Sequence, residues 1–316
     1  MAADLLGPRI KPPALRRGDR VGIVAPASNI KLELLEAGCD GLRAAGYEPF
    51  YFDSILDRDL YFAGSVERRA RELEEMFVRD DVRAIVCARG GYGANYLLGA
   101  LDLAKIAAHP KIFVGYSDLT TLLTWFADRA RVAVFHGPMV TKDFAVTGGV
   151  DFDSWQHALG GDVDWDIGAG SGARPLVAGE GEGILHGGCL SLLVAALGTA
   201  YDIQTEGTIL FLEDVAAKPF QIDRMLMQLK IAGKLRGVRG IIFGEMMDCR
   251  QSADQDYTLE EVVLRVIGDL GIPVAFGLRS GHVSRGNITL PLGVCARLKV
   301  DESVTLRILE AAVERR

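Results

Sequence analysis

The sequence predicts an α/β protein with a mostly parallel sheet, and three observations support this fold class. Short apolar strands alternate with amphipathic helices through the first half of the chain. The 316 residues, 49% of them hydrophobic, can bury a large core and favour two domains over one. A glycine- and aspartate-rich stretch then interrupts the alternation. We therefore expect a first domain over residues 1–159, a linker over 160–180 and a second domain over 181–316.

The first domain reads as repeated β–α units. Ser65 is a predicted helix cap, and Gly46 is a predicted helix end. Ligands of such sheets lie at the carboxyl ends of the strands. The predicted strands are residues 20–25, 48–52, 84–88, 112–114 and 132–135, and the predicted helices are 32–45, 66–78, 94–101 and 118–123.

A glycine-rich loop, RGGYG at residues 89–93, follows the third predicted strand directly. Its glycines allow backbone N–H groups to approach a ligand closely, so a phosphate-binding loop is one interpretation. A dinucleotide fingerprint is a weaker one, because Gly91 and Gly93 are not followed by the third glycine of that motif.

Ser117 stands at the corner between the fourth strand and the next helix. At such a corner a serine can project above the sheet, and the following backbone N–H groups, that of Asp118 first, can stabilise an oxyanion. This arrangement is typical of a nucleophile elbow, although Leu119 replaces the second glycine of the common G-x-S-x-G form. A simple helix cap explains the serine equally well.

The second half mixes both element types after the predicted linker. The glycine run at 168–172 neither follows a clear strand nor opens a helix, so we assign it to the linker. Predicted strands or apolar runs cover 184–188, 208–212, 240–243 and 273–276, predicted helices cover 189–197, 219–231 and 258–270, and short strands with turns cover 288–309.

Composition restricts the partners. The net charge of -7 argues against a nucleic-acid surface or an anionic membrane surface, since either would require a concentrated basic face. Five widely spaced cysteines indicate reduced thiols and neither a disulfide framework nor a metal site. No apolar run approaches the roughly 18 residues of a membrane span. We expect a cytoplasmic protein with a small substrate and no metal or cofactor.

A nucleophilic serine requires a base, and the base requires an orienting acceptor. Among the histidines, His136, His186 and His282 follow apolar segments beside glycine, whereas the other two look like surface residues. His282 has the most unusual setting, a polar loop with nothing apolar around it. Glu213 follows a strand directly, so it is either a solvated strand end or a group at the mouth of a site.

Seven segments together resemble the LD-carboxypeptidases, the serine peptidases of the muramoyl-tetrapeptide carboxypeptidase and microcin-immunity group. The resemblance covers nearly the whole chain. The segments are GDRVGIVAPAS, ARGGYGANYLL, VGYSDLTTLL, FHGPM, LHGGCLSLLVAALGT, FLEDVAAKPFQIDRMLMQL and SGHVSRGNITLPLGVCARL.

The resemblance implies a flavodoxin-like first domain, a smaller swivelling β/α second domain, a homodimer and no metal. It also implies that Ser117 is the nucleophile, that His282 is the base and that Glu213 orients it. Two positions depart from the family pattern: Cys189 stands where an asparagine is common, and Tyr96 where a basic residue is common. Both put substrate selection in doubt.

The resemblance implies hydrolysis of the bond to a C-terminal D-alanine in cytoplasmic murein tetrapeptides, through an acyl-enzyme on Ser117. One alternative is a microcin-immunity-like hydrolase of acyl- or aminoacyl-nucleotide antibiotics, and another is a two-domain binding protein without turnover. We expect oxyanion donors at Gly91 and Asp118. The candidates for substrate binding are Arg89, Gly90, Lys218 and Arg285, and the three cations among them are candidates for the substrate carboxylate.

Overall fold

The computed structural model describes residues 9–251 and 255–315, so the outer limits of the two predicted domains, residues 1 and 316, lie outside the described residues. The first half supplies five strands of a six-stranded sheet with helices around it. In chain order its elements are β1 (Arg20–Val24), α1 (Leu32–Ala44), β2 (Glu48–Phe50), α2 (Val66–Val78), β3 (Ala84–Cys87), α3 (Leu103–Ala108), β4 (Ile112–Gly115), α4 (Thr120–Trp125) and β5 (Val134–His136).

The order of the first five strands is β2-β1-β3-β4-β5, and every adjacent pair among them is parallel. This is the flavodoxin-like order, so the predicted fold class is confirmed. The strands are apolar because helices cover both faces of the sheet, and β3 is buried along its whole length. Strand order reverses between β1 and β3, where the loops that follow both strands meet.

The second half forms an eight-stranded sheet in the order β6-β14-β13-β8-β9-β10-β11-β7. Strands β8 to β11 are parallel, and the strands flanking them on both sides are antiparallel. In chain order the elements are α5 (Phe152–Gly160), β6 (Trp165–Ile167), β7 (Arg174–Val177), β8 (Gly179–Cys189), α6 (Leu190–Ala195), β9 (Thr208–Glu213), α7 (Pro219–Ile231), β10 (Gly240–Gly244), α8 (Leu259–Ile267), β11 (Val274–Leu278), β12 (Leu290–Leu292), β13 (Val294–Val300) and β14 (Val304–Ile308).

The two sheets share one core. Helices α6, α7 and α8 pack with their own apolar cluster on one face of β9 and β10. The opposite face, which carries Ile209 and Phe211, joins the large cluster of the first sheet. Strand β12 belongs to the second half of the chain, but it pairs antiparallel with β5 of the first sheet. The sheets are therefore locked together by packing and by a shared strand.

Local signals explain most helix boundaries. Ser65 caps α2 as predicted, with its hydroxyl accepting from the amide of Arg68 at 3.2 Å. The predicted helix over 94–101 is wrong, since only Ala94–Leu97 forms a short 3₁₀ turn. Asp102 instead caps α3 by accepting from the amides of Ala104 and Lys105. A strong cap thus placed the helix start further along the chain than the apolar pattern suggested.

The segment 160–180, expected to be a linker, contains two strands of the second sheet. Strand β6 pairs with β14 at one edge, and β7 pairs with β11 at the other. These strands have three and four residues, too few for a period of two to be visible among the glycines around them. The 160–180 segment therefore forms both edges of the second sheet.

Candidate active site

Ser117 lies at the corner between β4 and α4, in the left-handed conformation with φ of 63°. A single 3₁₀ turn, Ser117–Leu119, leads into α4, and the residue at the N-cap position is Tyr116. A helix-capping serine has extended dihedrals, whereas a left-handed serine stores strain on the order of 1–3 kcal/mol. The geometry favours a nucleophile at a strained turn over a simple cap.

The glycine-rich loop lies directly against this corner. A Cβ atom on Gly90 would stand 2.8 Å from Cβ of Ser117 and 3.2 Å from the amide nitrogen of Asp118. Gly91 is left-handed, with φ of 104°, and a side chain there would collide with the hydroxyl of Ser28. The amide of Asp118 and the loop that carries Gly91 therefore lie side by side at the serine.

The Asp118 side chain fastens the loop to the corner. Its Oδ2 accepts a hydrogen bond from the amide of Ala94 at 2.8 Å. Burial raises the pKa of the Asp118 carboxyl to about 6, against the opposing effect of that hydrogen bond. This carboxyl group holds the turn, and its backbone N–H remains the part suited to an oxyanion.

Glu213 ends β9 with no solvent exposure. Its Oε2 accepts from Nδ1 of His282 at 2.7 Å and from the His282 amide at 3.2 Å. Burial alone would raise the pKa of the Glu213 carboxyl, but the neighbouring His136 and His282 lower it to about 2. The ionised carboxylate holds the proton of His282 on Nδ1, which leaves Nε2 unprotonated and suited to act as a base.

Two glycines hold the carboxylate in place. A Cβ atom on Gly244, at the end of β10, would stand 2.7 Å from Cβ of Glu213. One on Gly281, which precedes His282, would stand 2.7 Å from the carboxylate carbon. The backbone thus encloses the Glu213 side chain, so its position does not depend on flexible neighbours.

Two contacts between the sheets connect the Ser117 corner with the Glu213–His282 pair. The ring of Tyr116, which precedes Ser117, meets the His282 ring edge-on at 5.2 Å between centroids. On α4, the hydroxyl of Thr120 accepts from the amide of Cys189 at 3.0 Å. Cys189 is paired with Glu213 across β8 and β9. The corner that carries Ser117 is thus joined to the Glu213–His282 pair by packed contacts of its neighbours Tyr116 and Thr120.

His136 lies behind the carboxylate, fully buried. The hydroxyl of Ser280 donates to the carbonyl of Ile288 at 2.9 Å. Nδ1 of His136 lies 3.0 Å from the same hydroxyl. Nε2 of His136 faces Oε1 of Glu213 at 3.9 Å, beyond hydrogen-bond distance. His136 contacts the carboxylate from the core side, opposite the hydrogen-bonded His282.

The remaining histidines lie elsewhere. His186 is buried, and its Nε2 lies 3.1 Å from a carboxylate oxygen of Asp128. This contact joins β8 to the helical segment that follows α4. His109 and His157 are exposed, in agreement with their prediction as surface residues. Of the three histidines considered from sequence, His282 is the one hydrogen-bonded to Glu213.

The three predicted substrate-binding cations are exposed side chains of loops or a helix start. Arg89, Lys218 and Arg285 are all exposed, and the guanidinium of Arg89 lies 3.4 Å from the carbonyl oxygen of Asn29. Sequence reasoning missed Lys142, whose Nζ lies 5.4 Å from the ring centroid of Tyr116. The available signal was its position just after the FHGPM segment, at the carboxyl end of a sheet strand.

Further features concern metal sites, membrane spans and cysteines. Within residues 9–251 and 255–315, no group of three or more histidine, cysteine, aspartate or glutamate side chains is placed to hold a metal ion. No helix in this part of the chain is long and apolar enough to cross a bilayer. The five cysteines are free, and four of them are buried.

Comparison with known proteins matches two family models, the LD-carboxypeptidase N-terminal domain over residues 21–137 and the C-terminal domain over residues 182–298. A probable murein peptide carboxypeptidase from Bacillus subtilis is 36% identical, over 96% of this chain and 95% of its own. The murein tetrapeptide carboxypeptidase of Pseudomonas aeruginosa is 29% identical, over 89% and 93%. The wild-type apo structure of microcin C7 self-immunity protein MccF superposes with a TM-score of 0.88, covering 96% of this chain and all of that one; at 24% identity the likeness concerns the fold.

Proposed function

The chain belongs to the LD-carboxypeptidase family and is therefore a serine carboxypeptidase, and we propose that it removes the C-terminal D-alanine from murein tetrapeptides. The observation that carries the proposal is the pairing of a strained serine corner with an ionised, buried carboxylate that orients a histidine beside it. The relatives named murein peptide carboxypeptidases support the substrate class.

The reaction follows from these positions. Oγ of Ser117 attacks the carbonyl carbon before the D-alanine, and Nε2 of His282 takes the hydroxyl proton. The amides of Gly91 and Asp118 stabilise the oxyanion. The intermediate collapses when the imidazolium gives its proton to the departing amine of D-alanine, which leaves an ester on Ser117.

Water then hydrolyses that ester. His282 takes a proton from the water, which attacks the ester carbonyl, and the same proton returns to Oγ of Ser117 as the tripeptide leaves. Glu213 stays ionised throughout and stabilises the imidazolium that forms in each half of the reaction. A cation near the leaving residue would bind the free carboxylate of D-alanine.

We further propose that the protein acts in the cytoplasm as a homodimer in the recycling of peptidoglycan. The free cysteines support a reducing compartment, since disulfides form mainly in oxidising ones. The dimer rests on the resemblance to the family. A net charge of -7 is in keeping with a small substrate and against a nucleic-acid partner.

The microcin C7 self-immunity protein MccF of Escherichia coli, 28% identical over 90% of this chain, favours one alternative, hydrolysis of an acyl- or aminoacyl-nucleotide antibiotic by the same serine. Mass spectrometry of the products would decide between the substrates. The purified protein is incubated with a murein tetrapeptide and, separately, with a panel of aminoacyl-sulfamoyl adenosines. We expect release of D-alanine from the tetrapeptide. If any adenosine compound is cleaved faster than the tetrapeptide, the chain would instead be assigned to the microcin-immunity branch of the family.

A further inference from the structure

Three exposed tyrosines surround one phenylalanine close to the serine. Tyr61, Tyr92 and Tyr96, here called the tyrosine platform, are 54%, 43% and 48% exposed. Their rings lie 4.4, 5.8 and 5.3 Å from the ring of Phe62, between centroids. Tyr96 is also one of the two departures from the family pattern. Neither the triad nor the oxyanion hole uses these rings.

The platform is rigidly supported from below. The buried guanidinium of Arg69 lies 4.9 Å from the Phe62 ring centroid. The same group donates to the carbonyl of Pro26 at 2.6 Å and to that of Gly93 at 2.9 Å. One buried cation therefore ties the loop after β1 and the loop after β3 beneath the aromatic cluster.

The platform and its loop are energetically unfavourable in themselves, because they combine backbone strain with exposed apolar side chains. Leu60, beside the platform, is 80% exposed and left-handed, with φ of 53°. The loop is nevertheless held in place, because the side-chain amide of Asn29 donates to the Leu60 carbonyl at 3.2 Å and the Asn29 backbone amide donates to the Tyr61 carbonyl at 3.1 Å. Strain and exposed rings on a fixed scaffold indicate a surface that faces a ligand.

The platform is continuous with the reaction centre. Tyr92 and Tyr96 follow β3, and Tyr61 follows β2. Both segments contact the loop after β1, beside the point of reversed strand order at which sheets of this type bind ligands. The amide of Tyr92 donates to the hydroxyl of Ser28 at 3.0 Å, and the amide of Ser28 donates to the carbonyl of Gly90 at 3.3 Å. Gly90 is the residue that lies against Ser117.

The length of the substrate indicates that its N-terminal part is the part that reaches the platform. Three residues precede the cleaved bond of a tetrapeptide and span about 10 Å when extended. Tyr92 is two residues from Gly90, hence within about 8 Å of it between Cα atoms. The ring centroids of Tyr61 and Tyr96 lie 5.9 and 6.1 Å from that of Tyr92. The platform therefore matches what the peptide carries at its N-terminal end.

We propose that the tyrosine platform binds the sugar ring attached to the N-terminal side of a murein peptide. The inference rests on the proposed function and assigns this surface to its glycopeptide substrates. A pyranose ring has an apolar C–H face that packs on an aromatic face, and its polar edge can bond to the tyrosine hydroxyls. The sugar is uncharged, and the guanidinium of Arg69 is buried beneath the platform, where it supports the rings without facing a ligand.

The test compares N-acetylmuramoyl-tetrapeptide with the free tetrapeptide. The double variant Tyr61→Ala/Tyr96→Ala leaves the Gly90–Tyr92 loop intact, and Phe152→Ala, an exposed ring packed on Phe144, is the matched control. We expect the wild type and the control to prefer the glycopeptide by about tenfold in kcat/KM, as single stacking contacts do. The double variant should lose that preference while cleaving the free tetrapeptide within about twofold of wild type.

Several results would overturn the proposal. One is an absent glycopeptide preference in the wild type; another is an equal loss on both substrates. A monomeric double variant beside a dimeric wild type, measured by light scattering, would make the platform a dimer surface. A selective loss against an aminoacyl-sulfamoyl adenosine would make it a nucleoside site.

A second measurement separates this proposal from the proposed function. Calorimetric titration of N-acetylmuramoyl-tripeptide into Ser117→Ala, with and without the two tyrosine changes, reports the platform without turnover. If the wild type hydrolyses neither substrate, the proposed function fails. The titration still shows whether the platform binds the sugar. Equal affinity in both backgrounds would refute the sugar site.

Discussion

Ser117 and the Glu213–His282 pair are held in place in different ways. Ser117 is positioned by backbone geometry within a strand, a turn and a helix that follow one another in the chain. Glu213 and His282 are 69 residues apart, and they meet through burial, enclosing glycines and a charged hydrogen bond. The first half of the site depends mainly on local conformation, and the second half on long-range packing and electrostatics.

The difference has consequences for what each part tolerates. A strained corner retains its shape when its side chain is shortened, because the backbone and its neighbours determine that shape. A buried carboxylate stays ionised only while its partners remain, since leaving one buried charge unpaired costs several kcal/mol, on the order of 3–5. Changes at Ser117 should therefore affect turnover alone, whereas changes around Glu213 should affect turnover and stability.

The largest effect is expected for Ser117→Ala. Without the nucleophile, kcat should fall by roughly 10⁴- to 10⁶-fold, because binding and oxyanion assistance alone remain. D-alanine release measured by chromatography, with circular dichroism as the control for folding, tests this. Turnover within tenfold of wild type would refute the assignment of Ser117.

His282→Ala should follow, with a loss of about 10³-fold or more, because no other imidazole is hydrogen-bonded to Glu213 on the side of the serine. His136→Ala and His186→Ala should lose less. Rates of all three variants across pH decide the matter, and a larger loss for His136→Ala than for His282→Ala would contradict the assignment.

Glu213→Gln should reduce kcat by about 10²- to 10⁴-fold, because the amide no longer selects the His282 tautomer. It should also change the pH dependence of stability. The Glu213 pKa, lowered from 4.5 to about 2, means that the carboxylate stabilises the fold above pH 4.5 and that this contribution is lost as pH falls towards 2. In urea unfolding, the stability gap between variant and wild type should shrink on acidification. A gap that widens would reverse the sign of this linkage.

Gly90→Ala should cost about 10²-fold in kcat/KM. The added methyl group would lie 2.8 Å from Cβ and 3.0 Å from Oγ of Ser117, and a displacement of that size misaligns attack. Gly99→Ala is the matched control, since a Cβ there meets no atom within 4 Å. Kinetics of both variants, alongside melting temperatures, separate misalignment from unfolding. Equal rates for the two would mean that the close approach of Gly90 has no catalytic role.

The smallest effect concerns the cation that binds the terminal carboxylate. Lys142 is the exposed lysine whose ammonium lies over Tyr116, beside the serine. Lys142→Met should reduce the preference for a tetrapeptide acid over its C-terminal amide by about tenfold, the effect of losing one charge-assisted contact. Arg89→Met, Lys218→Met and Arg285→Met serve as comparisons. If Lys142→Met leaves the ratio unchanged while one of these abolishes it, that other cation is the binding residue.

Individual residues show how much of the structure could be predicted from the sequence. The Ser117 corner and the fold class follow from local patterns, because turn chemistry and apolar periodicity act over a few residues. Composition left three histidines open, and the resemblance to a family was required to select His282. The linker prediction overlooked β6 and β7, since short edge strands have too few residues to show a period and form only against a sheet that already exists.

By itself, then, the amino-acid sequence determined the α/β class, the position of Ser117 at a strand-to-helix corner and, through its motifs, the family. The tertiary structure alone decided that the Ser117 turn is left-handed, that His136 lies behind Glu213 on the core side, that Lys142 lies over Tyr116 and that Tyr61 shares one surface with Tyr92 and Tyr96. The physical reason is range: backbone conformation is determined mainly by neighbours in the chain, whereas burial, charge pairing and ring contacts depend on residues that only the folded sheets bring together.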